Sequence, residues 1–165
     1  MHAPPKGFLD QPYPYHHELV LEIENVTNLG YGIARHDGWV VQVAFVLPGE
    51  RVRVRIFRNH KNYSEADCLD ALSASADRVD SKCELFGVCG GCQYQAVRYE
   101  TQLLWKRQQV EESFSRIGGL EVPVEPVEPS PKTFGYRSKL TPHYGRARDS
   151  EKRKVGFLRH GSRTV

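Results

Sequence analysis

Arg51-Val52-Arg53-Val54-Arg55-Ile56-Phe57 is the cleanest alternation in this chain. Side chains along a strand point to opposite faces in turn, so Val52, Val54 and Ile56 share one face and Arg51, Arg53, Arg55 and Phe57 the other. The neighbouring sequence supplies further strands. Upstream, Leu19, Leu21 and Ile23 alternate with Val20, Glu22 and Glu24. Asn28-Leu29-Gly30, His36-Asp37-Gly38 and Pro48-Gly49-Glu50 are turn signals, and Trp39 to Leu47 is a strongly β-prone run. Downstream, a last strand is predicted from about Ser64 to Leu72. Five short strands between Glu18 and Ser73, with Gly-containing turns and no helical pattern, predict a small closed barrel of the OB type.

Three of the four cysteines follow at once, in Cys83-Glu-Leu-Phe-Gly-Val-Cys89-Gly-Gly-Cys92. Gly90 and Gly91 let the backbone turn so that two thiolates can face one centre. Thiolate sulfur is a soft ligand that selects zinc, copper(I) or iron–sulfur clusters. A structural zinc site usually shows two C-x2-C knuckles or paired Cys and His, and no suitably spaced His follows here. Iron–sulfur clusters take four cysteines, often three close together and one remote. Cys68 is the only other cysteine, and its place in the last strand predicts a packed core thiol. From the residues alone, iron–sulfur, zinc and inert thiols all remain open.

After the cysteines, Ala96 to Ile117 reads as a helix, with Leu103, Val110, Phe114 and Ile117 on one stripe and Gly118-Gly119 as its stop. Val122 to Pro131 is Pro-rich and must be extended, which marks a linker. Strand character resumes at Tyr136 to Tyr144 and at Lys154 to Arg159, around a charged loop from Gly145 to Arg153. The predicted organisation is a leader over residues 1–17, a barrel over 18–75, a cysteine segment with a helix over 76–120, and the truncated start of an α+β domain over 121–165. The fold class is mainly β with α.

The 165 residues leave room for one domain or two small ones. A net charge of +3 permits a polyanionic partner without demanding one. No run of 18 apolar residues occurs, so no transmembrane span is expected. Residues 1–17 are Pro- and Tyr-rich, lack an apolar signal core, and read as a disordered leader. Secretion and a disulfide framework are therefore not expected, and clustered cysteines in a reducing compartment bind metal or do chemistry. The arginine face, extended by Arg58, His60 and Lys61, suits a phosphate backbone, with Phe57 and Tyr63 at hand to stack bases. A solvated strand face explains the same pattern equally well. No Ser/His/Asp arrangement and no dinucleotide fingerprint is present.

Asn28 to Glu50, with Gly32-Ile33-Ala34-Arg35-His36-Asp37-Gly38 and the turn at Leu47-Pro48-Gly49-Glu50, resembles a TRAM domain, an OB-like RNA-binding barrel. Asp77-Arg78-Val79, the three cysteines, Gln93-Tyr94-Gln95, the helix start at Tyr99-Glu100 and Phe134-Gly135-Tyr136-Arg137 resemble the uridine-C5 RNA methyltransferases. The resemblance implies that Cys83, Cys89 and Cys92 hold three irons of a [4Fe–4S] cluster, with a fourth cysteine beyond Val165. It also implies a class I S-adenosylmethionine-dependent domain downstream, absent from this chain. There a thiolate attacks C6 of a flipped uridine before methyl transfer to C5. No catalytic residue is expected within these residues. The partner is expected to be rRNA or tRNA, with Arg51, Arg53, Arg55, Phe57 and Lys61 contacting it, Arg35 and Tyr31 extending the surface, and no membrane. A monomeric, cytoplasmic protein is expected, with an organelle left open. The rival readings are a non-catalytic RNA-binding protein with a structural zinc or iron–sulfur site, and a zinc-binding interaction module.

Overall fold

A computed structural model describes residues 3–145, 154–162 and 164–165. The chain divides into two compact units, Met1–Val79 and Asp80–Val165.

The first unit is the barrel. Its strands are β1 (Glu18–Glu22), β2 (Asn25–Val26), β3 (Tyr31–His36), β4 (Trp39–Ala44), β5 (Arg51–Asn59) and β6 (Tyr63–Ser73). They lie in the order β1-β5-β6-β4-β3-β2. β1 and β2 are two halves of one bent strand. Between them Ile23 donates its N–H to Glu50 O at 2.9 Å and Glu24 donates to Ile33 O at 2.8 Å, so the strand leaves β5 and joins β3. That bend brings the two ends of the sheet together, and the five strands expected from the sequence become six segments. β4 and β6 pair in parallel, whereas the other ladders are antiparallel.

The alternation at β5 resolves as predicted. Val52, Val54 and Ile56 are fully buried and meet Leu21, Ile23, Ala34, Val41, Val43 and Ala66 in one core. The β3–β4 hairpin turns on Asp37 and Gly38, both at positive φ (51° and 80°), the signature of a type I′ turn. The predicted strand Trp39 to Leu47 stops at Ala44, because Phe45 sits at φ 63° and turns the chain aside. Gly32 is needed for space. A Cβ there would lie 2.4 Å from Val46 Cγ2 and 3.0 Å from Ile23 Cγ2. Gly32→Ala is therefore expected to cost about 1–3 kcal/mol by overpacking, read as a lower urea midpoint.

Two expectations fail in this unit. Of the leader expected to be disordered, residues 3–17 are described and pack on the barrel. Tyr13 is buried in the core, His16 N–H bonds Ile56 O at 2.9 Å, and the Asn59 side-chain amide donates to the carbonyls of Leu9 (2.6 Å) and Tyr13 (2.7 Å). A single ring with bonded backbone suffices to fix a segment that has no apolar run. Cys68, expected in the core, is exposed. A register shift between Arg53 and Val54 disturbs the β5–β6 ladder where Cys68 pairs with Val54, and β6 is exposed from Asp67 onward apart from half-buried Leu69. Its thiol is still held above its usual range, first by partial desolvation and next by the Glu50 carboxylate.

In the second unit the helix α1 runs Tyr99–Arg116. It ends as predicted. Gly119 takes φ 63° and its N–H bonds Ser115 O, the αL stop, while Leu120 N–H bonds Phe114 O. The stripe expected on its buried face is not covered. Val110, Phe114 and Ile117 are exposed, and Thr101 is the buried residue of the helix. Residues 122–131 carry no regular structure, as their prolines require, although Ser130 N–H donates to Tyr99 Oη at 2.7 Å. The strand pair expected at Tyr136–Tyr144 and Lys154–Arg159 shrinks to β7 (His143–Tyr144) and β8 (Val155–Gly156), antiparallel. Most of the predicted charged loop between them, 146–153, lies outside the described residues.

Candidate nucleic-acid interface and cysteine cluster

The arginine face of β5 is on the surface, but its cations are not idle. Arg53 bonds Asp70 of β6 through Nε at 2.9 Å and through Nη2, and Glu18 of β1 through Nη1 at 2.9 Å. Arg55 lies 3.6 Å from Asp67 and Arg58 lies 3.9 Å from Glu65. Arg53, Arg55 and Arg58 thus each face a carboxylate from a flanking strand, and the stripe that reads as basic in one strand is largely balanced across three. The cross-strand partners are set by register, which local alternation does not reveal. Among the described residues, Arg51 and Lys61 make no ion pair. Phe57 is half-buried on the same face.

A second, aromatic cluster includes residues of the leader that the sequence did not single out. Tyr15 stacks on His16 with ring centroids 3.8 Å apart, and Phe8 meets Tyr15 edge-on at 5.1 Å. His60 stacks on Tyr63 at 4.3 Å and 15°. Buried Tyr13 lies parallel to His17 and bonds His36 Nδ1 through its hydroxyl at 3.0 Å. Burial raises the Tyr13 hydroxyl pKa, and the Asp37 carboxylate adds to the shift. The Pro-Tyr-Pro-Tyr-His-His run at 12–17 was the available signal.

The three clustered cysteines lie in the second unit, all as free thiols; Cys83 and Cys92 are exposed and Cys89 is half-buried. Tight turns hold the loop. Phe86 N–H bonds Cys83 O, and Cys89 N–H bonds Leu85 O at 2.8 Å. A distant segment grips it as well, with Gly90 N–H to Leu158 O and His160 N–H to Val88 O, both 2.9 Å. A Cβ at Gly90 would come within 3.3 Å of Leu158 O, which explains the glycine. Cys89 Sγ accepts the Gly91 N–H at 3.3 Å and Cys92 Sγ accepts from Gln95 Nε2 at 3.2 Å. Such bonds suit cluster thiolates, so the donor chemistry fits an iron–sulfur centre. Among the described residues no group of three or more His, Cys, Asp or Glu is gathered closely enough to hold a metal ion.

The turn after β4 hides a further charged site. Glu50, whose side chain is fully buried, takes two bonds from Arg78 (2.5 and 2.8 Å), one from Leu47 N–H at 2.8 Å and one from Ser75 N–H at 3.3 Å. Arg78 also donates to Phe45 O at 3.0 Å, which the positive φ of Phe45 accompanies. Burial pushes the Glu50 carboxyl up, but the Arg78 and backbone bonds outweigh it and hold the pKa below its ordinary value.

Residues 18–69 match the TRAM domain. The chain is 39% identical to an uncharacterized RNA methyltransferase of Nitratidesulfovibrio vulgaris over 82% of its length and 29% of the relative's. It is 39% identical to another from Thermotoga maritima, over 84% of this chain and 32% of that one. Against the tRNA (uracil(54)-C(5))-methyltransferase of Schizosaccharomyces pombe it is 35% identical over 93% of this chain and 31% of the relative. Residues 18–69 thus match a TRAM domain, and the chain is similar to a part of proteins named RNA methyltransferases. It spans about three-tenths of the length of these relatives. A crystal structure of Pyrococcus abyssi tRNA (uracil-54, C5)-methyltransferase with S-adenosyl-L-homocysteine is 28% identical, with a TM-score of 0.48, and the likeness covers 83% of this chain and 28% of that one. Among the described residues no helix is long and apolar enough to cross a membrane.

Proposed function

We propose that this chain is the RNA-recognition and iron–sulfur portion of a 5-methyluridine methyltransferase that acts on rRNA or tRNA with S-adenosylmethionine as methyl donor. The reading rests on one observation above others: similarity along 93% of the chain to a relative named for methylating uracil in tRNA. Residues 18–75 form the RNA-binding barrel, 76–120 the cysteine segment, and 121–165 the start of a central domain. The methyl-donor site belongs to the whole protein, and no residue of this chain is assigned to it. The protein is expected to act as a monomer, in the cytoplasm or in an organelle. Disruption of the gene should remove one 5-methyluridine from tRNA or rRNA, measured by mass spectrometry of digested RNA and restored by the gene. Unchanged 5-methyluridine in both RNA classes overturns the reading.

RNA phosphates meet the β5 face through Arg51, Arg53, Arg55 and Lys61, beside Phe57. Because Glu18, Asp70 and Asp67 compete for Arg53 and Arg55, these contacts are weak and salt-sensitive. Arg53→Ala with Arg55→Ala is expected to lower RNA affinity by less than about tenfold and to flatten its salt dependence. Affinity and salt slope both unchanged in a folded variant would remove this face from the RNA path.

Cys83, Cys89 and Cys92 are proposed ligands of a [4Fe–4S] cluster, supported by three free thiols and two N–H···S bonds. The full-length protein, purified anaerobically, is expected to be brown and to contain iron and sulfide. Cys89→Ser should abolish both, whereas Cys68→Ala should leave them unchanged. Stoichiometric zinc without iron sinks the cluster.

A further inference from the structure

We infer that the barrel end built from the leader and the β5–β6 loop is a stacking surface for unpaired RNA bases, carried by Tyr15, His16, His60 and Tyr63 with Lys61 beside them. The inference rests on the RNA reading above and adds where, and by what force, bases are held. Two stacked ring pairs flank Asn59. His60 and Tyr63 follow it in the chain, while its side-chain amide grips the carbonyls of Leu9 and of Tyr13, two residues before Tyr15. The anchor is buried and fully bonded. Asn59 Oδ1 accepts from Ser64 Oγ at 2.6 Å, and Ser64 Oγ in turn accepts from Trp39 Nε1 at 2.9 Å. The rings are thus held in place before any partner arrives, which lowers the ordering cost of binding.

Exposure separates the anchor from the working surface. Tyr13, Asn59 and Ser64 are buried, but Tyr15, His16, His60 and Tyr63 are only half-buried and keep ring area open to solvent. Rings that served only to seal the barrel would be covered as Tyr13 is. Charge favours stacking over phosphate tracking here. Exposed Arg58 is offset by Glu65, which lies 3.9 Å from it and 3.2 Å from His60 Nε2, and Lys61 is left without an ion pair among the described residues. A surface of rings with few cations binds bases chiefly by their faces, so the base-dependent part of its affinity varies little with salt or sequence.

The test uses the whole chain with a short oligouridylate and an abasic oligomer of the same ribose–phosphate length, each at two salt concentrations. The oligouridylate should bind about tenfold more tightly than the abasic oligomer. His60→Ala with Tyr63→Ala should erase that preference by the same factor at both salts and leave abasic binding unchanged. Tyr63→Phe should retain it. If the first double variant fails to fold, Tyr15→Ala with His16→Ala tests the other ring pair. Equal binding of the two oligomers, or a preference kept in the folded variants, overturns the stacking surface while RNA recognition stands. No binding of either oligomer by the unaltered chain overturns both.

Discussion

Arg78→Ala is expected to lower the stability of the barrel unit by about 3 kcal/mol near neutral pH, the low end for removing one partner of a buried ion pair. Glu50 would be left charged, fully buried, and bonded only to the N–H groups of Leu47 and Ser75. Those two bonds keep the cost from the upper end. The pH dependence gives the prediction a second readout. The folded Glu50 carboxyl is held below its ordinary value of 4.5, so the unfolded state binds the proton more readily. The clasp's contribution is then complete above that value and is lost as pH falls through the folded pKa. Without Arg78, burial dominates and favours the neutral acid. The penalty of the substitution should therefore shrink in acid, measured as urea midpoints across a pH series. A penalty that is small at pH 7, or that does not change with pH, would show that the Glu50–Arg78 contact contributes little.

Ile56→Ala is expected to cost about 3 kcal/mol. Ile56 is fully buried and among the largest side chains of the core, so truncation loses its burial and leaves a cavity between β5 and the strands across the barrel. Val20→Ala on the exposed face of β1 is the matched control and should change stability by less than about 0.5 kcal/mol. Chemical denaturation with unchanged slope checks both. Equal effects would mean that the inward and outward faces of the barrel are not distinguished as described.

Period-two alternation carried most of the barrel. Arg51 to Phe57, Leu19 to Ile23 and the His36-Asp37-Gly38 turn need nothing beyond their own residues, because strand facing and turn geometry are local properties. The three clustered cysteines and the Gly118-Gly119 stop are local in the same sense. Pairing is not. Which carboxylates would meet Arg53 and Arg55 depends on a register spanning β1, β5 and β6, and it turned a basic stripe into a largely balanced one. The exposure of Cys68 depends on a register shift that alternation cannot anticipate. The helix stripe at Val110, Phe114 and Ile117 shows the converse limit: periodicity marks a face that can be buried, and only a packing neighbour buries it.

The leader and the Glu50–Arg78 clasp were the least legible, for one physical reason. Both depend on groups far apart in the chain: Asn59 with Leu9 and Tyr13, and Glu50 with Ser75 and Arg78. Hydrogen bonds of this kind are strong only where the fold excludes water. A polar side chain in a sequence carries no sign of whether it will be dry. The cysteine loop lies between these cases. Its thiols and glycines announce a soft-ligand site, while the grip of Leu158 and His160 on Val88 and Gly90 appears only when residues some seventy positions apart meet. Local chemistry is written in neighbouring residues, whereas burial and pairing arise from the closed chain.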